Sequence, residues 1–171
     1  MVIIQHEELK NIREKHKNEK IVVCTGTFDI THAGHILFLE DCKKQGDILV
    51  VSVGSDSLIK SYKGEKRPIL NQYIRIKTID SLKPVDYTIL DKNNKFGNHE
   101  DTLEPLFKDL KPNIYAINED GVDLDQRKEI AESHNVELRI LNRYCPKEFD
   151  KISTTKIINN IIKMNKEENP Y

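Results

Sequence analysis

Residues 25–35 read TGTFDITHAGH and directly follow the apolar run IVVC at 21–24. A short, mostly β-branched run of that kind reads as a buried strand, and the glycine and polar residues after it mark the turn that leaves it. Gly26 stands where a residue without a Cβ lets the backbone turn tightly or lets a bound group come close. Gly34 stands between His32 and His35 at the start of the next helix, where backbone N–H groups and the helix dipole favour a phosphate. If that turn opens a helix, the two imidazoles project to one side and can meet one anion. The residues alone therefore suggest a phosphate-handling turn in which His32 and His35 stabilise charge on a transferring group.

Outward from this turn the hydrophobic pattern alternates. Candidate strands fall at 21–24, 48–53, 87–90, 114–117 and 136–141, with helical stretches at 35–44, 71–82, 100–110, 123–134 and 154–164. That order predicts one α/β domain over residues 1–171, a Rossmann-like three-layer fold with a parallel sheet of about five strands. Ligands of such sheets bind beyond the carboxyl ends of the strands, which is where the histidines lie. An amphipathic helix is expected over 6–18. Its apolar residues, Leu9 and Ile12 together with Ile4, suit either a subunit contact or packing within the chain. Residues 165–171 are expected to form a polar, frayed tail.

Composition narrows the function. The 27 basic and 28 acidic side chains nearly cancel, which gives no signature of a nucleic-acid or membrane partner. The longest apolar runs fall far short of the roughly 20 residues that a membrane helix requires. Cys24, Cys42 and Cys145 are odd in number and lack CxxC spacing, which argues against a structural zinc or a disulfide framework. Cys24 and Cys42 read as small buried hydrophobes. His32 and His35 have no evident third ligand, so no protein metal site is expected. No GxGxxG follows the first strand and no GxxxxGK[ST] occurs, which disfavours a dinucleotide oxidoreductase and a P-loop NTPase.

Four motifs together carry a resemblance. GTFDITHAGH at 26–35 resembles the GxFDxxHxGH signature of the cytidylyltransferase-like nucleotidylyltransferases, and KSYKGEKRPILNQYIR at 60–75 resembles the KxxKGxxRP segment of heptose 1-phosphate adenylyltransferases. RIKTIDSLKPVD at 75–86 and ISTTKII at 152–158 are similar to two further family motifs, so the resemblance spans most of the chain. It implies the HIGH-type nucleotidyltransferase fold and a reaction in which a nucleoside triphosphate and a phosphorylated small molecule give pyrophosphate. The implied catalytic residues are His32, His35 and Lys63. Implied nucleotide contacts are Gly26, Thr27, Phe28, Gly34 and His35 at the turn, Asn118 and Asp120 after the fourth predicted strand, and Ser153, Thr154 and Thr155 at a helix start. Asp29, Lys63 and Arg75 are implied on the acceptor side, with Arg75 holding the acceptor phosphate or ordering the site.

The resemblance further implies Mg2+ carried by the triphosphate, ATP or CTP as donor, a homodimer and a cytoplasmic location. Its first reading is an ATP-dependent heptose 1-phosphate adenylyltransferase serving sugar-nucleotide synthesis. A cytidylyltransferase acting on glycerol 3-phosphate or another polyol phosphate comes second, supported by ISTTKI, and a FAD synthase-like adenylyltransferase third. A nucleotide-binding module without turnover is the alternative from a different class. The chain departs from the family at Thr31, at NQYI before Arg75, at Asn118 and in the long segment 142–151, which contains Arg143.

Overall fold

The computed structural model describes residues 2–91, 103–119, 121, 123–142 and 144–168, the last three by their backbone alone. The two most apolar runs become its adjacent central strands, β2 (Ile21–Gly26) and β3 (Ile48–Val53), paired in parallel from Ile21 opposite Ile48 to Gly26 opposite Val53. Every residue of β3 and the first four of β2 are buried, as expected of strands covered on both faces. β4 (Tyr87–Leu90) lies beside β3, and β5 (Ile114–Asn118) lies on the other side of β2. β6 (Glu137–Leu141) forms one edge. The full order is β1-β4-β3-β2-β5-β6, all parallel.

The sixth strand is the difference from the expected five. β1 (Val2–Ile4) pairs with β4 along the opposite edge and precedes a 3-10 turn (His6–Glu8) and α1 (Leu9–Lys15). The predicted helix over 6–18 is thus shorter. Ile4, Leu9 and Ile12 are all buried inside the chain, which decides for packing over a subunit contact.

α2 (Ala33–Lys43) and α4 (Gln72–Asp80) cover one face of the sheet; their Phe38, Leu39, Ile76 and Ile79 pack with Val22, Cys24, Leu49 and Val51. The other face packs against α1, a π-helical segment (Leu106–Leu110) and α5 (Leu124–Ser133), whose Leu9, Phe107 and Ile130 meet Ile21, Val23 and Tyr115. The helix expected over 100–110 corresponds to residues 103–110, its first three positions lying outside the described residues. α6 (Thr154–Glu168) runs beyond residue 164, so the start of the expected tail is helical. Cys24 and Cys42 are buried and unbridged, as read from the sequence. The thiol of Cys24, then burial, push the Cys42 thiol pKa up. Among the described residues no helix is long and apolar enough to cross a membrane.

Chain order reverses direction at β2, because β3 and β4 lie to one side of it and β5 and β6 to the other. A crevice beyond the carboxyl ends of β2 and β5 is the site this topology provides for a ligand.

Candidate active site

The TGTFD turn leaves β2 at that crevice. A Cβ on Gly26 would stand 2.7 Å from the Phe28 ring, so the glycine is required by close approach of the chain's own aromatic. Phe28 is buried, adopts φ 51°, and meets the His35 ring edge-on at a centroid distance of 5.5 Å. His32 caps α2 in extended conformation, with its Nδ1 accepting from the Gly34 N–H at 3.1 Å. The His35 Nδ1 accepts in turn from the His32 N–H at 3.4 Å, and the two rings stack with centroids 4.0 Å apart. With both Nδ1 atoms accepting, the neutral rings carry their protons on Nε2, so each histidine is set as an Nε2–H donor. Helix start and histidine pair thus form one unit.

A second helix start is tied to the same turn. Ser153 Oγ accepts from the Lys156 N–H at 3.2 Å and so caps α6. Thr154 Oγ1 donates to the backbone carbonyl of Asp29 at 2.7 Å. Thr155 is exposed beside them. Two helix N-termini, each an electrostatic seat for an anion, therefore flank residues 26–29.

The carboxylate of Asp29 is fully occupied within the fold. Its side chain has 0% exposure; Oδ2 accepts from Arg67 Nε at 2.9 Å and the Ile69 N–H at 3.0 Å, and Oδ1 from the Leu70 N–H at 3.0 Å. Asp29, which the resemblance put on the acceptor side, has its carboxylate turned into the fold, where it holds down the 67–70 segment. Arg75, for which the resemblance implied either an acceptor contact or an ordering role, is also turned into the fold. It is 0% exposed, and donates to the Leu70 carbonyl at 2.9 Å, the Thr27 carbonyl at 2.6 Å and Asp56 Oδ1 at 2.7 Å. The ordering role is the one its geometry fits: one guanidinium braces the 27–29 turn against the 67–70 segment from beneath. A guanidinium suits this because its planar fork donates in several fixed directions at once.

Lys63 is the last residue of a helix absent from the sequence pattern above, α3 (Asp56–Lys63), capped by Ser55 and closed by Gly64 at φ 84°. Its Nζ lies 3.4 Å from Thr27 Oγ1 and 5.3 Å from the centre of the Tyr62 ring. Burial of the ammonium end, with Arg67 and Arg75 nearby, lowers its pKa below that of an ordinary lysine, and Asp29 opposes the shift. α3 thus delivers a cation to the turn.

On the β5 side, Asn118 ends its strand half-buried, with its carbonyl accepting from the Gly121 N–H at 2.9 Å. Asp120 and Arg143 lie outside the described residues. Tyr115, wholly buried, bonds through its hydroxyl to Thr25 Oγ1 at 3.1 Å and accepts from Arg127 of α5. Burial raises the Tyr115 pKa against the pull of Arg127, which keeps it a neutral phenol.

The structure thus gathers Gly26, Thr27, Phe28, His32, Gly34, His35, Lys63, Ser153 and Thr154 around one turn, and sets Asp29 and Arg75 beneath it. Sequence reasoning passed over Tyr62 and Arg67 as contributors; Arg67 lies in the same KGEKRP segment, where charge alone does not distinguish a solvated residue from a clamped one. Among the described residues, no group of three or more His, Cys, Asp or Glu stands together for a metal.

The chain is similar to several known proteins. Residues 23–160 match the family model described as cytidylyltransferase-like. The chain is 37% identical over 143 residues to a FAD synthase of Archaeoglobus profundus, covering 82% of this chain and 85% of that one. It is 34% identical over 157 residues to the bifunctional protein HldE of Aliarcobacter butzleri, covering 91% of this chain but only 30% of that protein. Among solved structures it resembles a lipopolysaccharide core biosynthesis protein of Thermoplasma volcanium, with TM-score 0.59 and 31% identity, covering 75% of this chain and 99% of that one.

Proposed function

We propose, from the premise that this chain belongs to the cytidylyltransferase-like family and is a nucleotidyltransferase, that it transfers the adenylyl group of ATP to the phosphate of a small sugar phosphate such as heptose 1-phosphate. The observation that carries the reading is the Thr154 to Asp29 hydrogen bond of 2.7 Å, which brings the Ser153-capped start of α6 to the turn that carries the two histidines. Two such helix starts suit a triphosphate, α6 receiving its outer phosphates and α2 the α-phosphate.

In this mechanism a phosphate oxygen of the acceptor attacks the α-phosphorus in line. A new P–O bond forms as the bond to the bridging oxygen breaks, and the electron pair leaves with pyrophosphate. His32 and His35 donate through Nε2 to the oxygens of the transferring group, and Lys63 bridges phosphates. No covalent enzyme intermediate is required, so positioning and charge do most of the work. Asp29 and Arg75 act by fixing the shape of the turn. Mg2+ bound with the triphosphate would supply charge neutralisation on its phosphates, and the Asp29 carboxylate, already bonded to Arg67 and two amides, would not be the group that holds it. Asn118, at the end of β5, and Asp120, two residues further in the sequence, are where we expect the base to be read.

Support for the sugar-phosphate acceptor comes from the KGEKRP segment, from the HldE relatives and from the Thermoplasma protein. FMN is the second acceptor reading. It is favoured by the FAD synthase relative, which this chain matches over most of both lengths. Exposed Tyr62, Ile69 and Tyr73 on and beside the same segment add apolar surface suited to a flat ring system. A cytidylyl donor with a polyol phosphate, second on the sequence alone, becomes the third. A homodimer in the cytoplasm belongs to the same proposal; exposed Ile161, Ile162 and Met164 on α6 offer apolar surface for the contact, and sedimentation of the purified chain tests it.

ATP labelled at the α-phosphate tests the transfer itself. The label should move into the acceptor product, whereas label recovered only in AMP or ADP would contradict it.

A further inference from the structure

We propose that Tyr62 is a positioning residue for Lys63, fixing the lysine ammonium over the TGTFD turn through its ring and through a hydrogen bond to Thr27. The inference rests on the reading of Lys63 as the cation that bridges phosphates.

Tyr62 and Lys63 occupy the final turn of α3, after which Gly64, at φ 84°, ends the helix. A lysine in such a place has four carbons of free rotation and a strongly hydrated head, and ordering it costs rotamer entropy. Two contacts restrict it here. The ammonium lies 5.3 Å from the centre of the Tyr62 ring, within the range of cation–π attraction. It also lies 3.4 Å from Thr27 Oγ1, to which a charged lysine can only donate. That Thr27 oxygen is in turn 2.6 Å from the Tyr62 hydroxyl. Tyr62, Lys63 and Thr27 therefore close a triangle of three contacts, two of them made by Tyr62.

Thr27 is anchored on its other side, where its carbonyl accepts from buried Arg75 at 2.6 Å. The Tyr62 hydroxyl thus grips a braced part of the turn. Tyr62 is 38% exposed, so it contributes little to the core, and a structural role alone is a poor account of its contacts. Attraction to a ring face strengthens when the cation is partly desolvated, as the ammonium end of Lys63 is.

A double-mutant cycle tests this, measured as kcat/KM with ATP and whichever of heptose 1-phosphate and FMN supports turnover. Beside Lys63, Tyr62→Ala should lower kcat/KM about tenfold, and Tyr62→Phe, which keeps the ring but not the bond, about threefold. The loss should fall on kcat, with the thermal midpoint unchanged. In a Lys63→Ala background, with product followed by radiolabel, the same changes should cost no more than about twofold. Equal losses in both backgrounds, or no loss beside Lys63, would overturn the proposal while leaving the Lys63 reading intact. A Lys63→Ala enzyme with full turnover would overturn the Lys63 reading, and the role of Tyr62 with it.

Discussion

Asp29 Oδ2 accepts from Arg67 Nε at 2.9 Å and lies 2.9 Å from Arg67 Nη2, so one buried carboxylate oxygen holds two atoms of one guanidinium. The same carboxylate takes two backbone amides of the following segment. Asp29→Asn keeps the shape but removes the counter-charge and turns a donor toward donors. We expect a loss of about 2–3 kcal/mol in denaturant unfolding, the range for a buried charge-assisted bond left without its partner. KM for the acceptor should rise more than KM for ATP. Wild-type stability together with an unchanged acceptor KM would contradict the clamp.

Arg75 joins three separate segments, and no shorter or single-headed cation reproduces that reach. Arg75→Lys should therefore behave much like Arg75→Ala, each destabilising by about 3 kcal/mol and lowering turnover. Full rescue by lysine would show that charge alone, without the fork, is what the position requires.

His35→Ala should lower kcat about 10² to 10³-fold, the usual loss for a preorganised donor at a transferring group. The fold should survive, because the α2 start keeps its Gly34 to His32 bond. Near-normal turnover would remove the histidine from the chemistry.

Ser153→Ala combined with Thr154→Ala removes a cap and the tie to Asp29. About 1 kcal/mol of stability should go with the cap, and nucleotide affinity should fall about tenfold through the missing tie and hydroxyls. Calorimetric titration with ATP measures the second, and unchanged affinity would separate α6 from the site.

The sign of the pH dependence follows from Lys63. Burial disfavours its charged form, so the proton leaves at lower pH than the roughly 10.4 of a free lysine. Where that charge is needed, the alkaline limb of kcat/KM should fall below that value, and Lys63→Arg should shift it upward because a guanidinium does not titrate there. A limb at or above the free-lysine value would count against a partly desolvated ammonium.

Much of this was legible in the sequence because the central strands are apolar on both faces and the helices alternate with them. β1 was not, since Val2–Ile4 is a three-residue edge strand with only Ile4 buried. α3 was missed although its signals were present: Ser55 before it, Asp56 in its first turn and Gly64 after it. Its single buried residue, Ile59, gave too weak a periodicity against the surrounding charge. At the site, the histidines, Gly26 and Ser153 could be read because turns and helix starts select residue types. The burial of Asp29 and Arg75 could not, because a motif fixes a residue's place in the chain and not whether its charge turns outward or inward. Tyr62 gave no signal beyond one aromatic on a polar stretch.

The most direct measurement is pyrophosphate release in the presence of magnesium, with ATP and CTP each crossed against heptose 1-phosphate, glycerol 3-phosphate and FMN. The account predicts release with ATP and the sugar phosphate, dependent on both substrates and lowered about 10²- to 10³-fold in His35→Ala. Nucleotide binding without pyrophosphate release in any combination would contradict the assignment of nucleotidyl transfer to these acceptors.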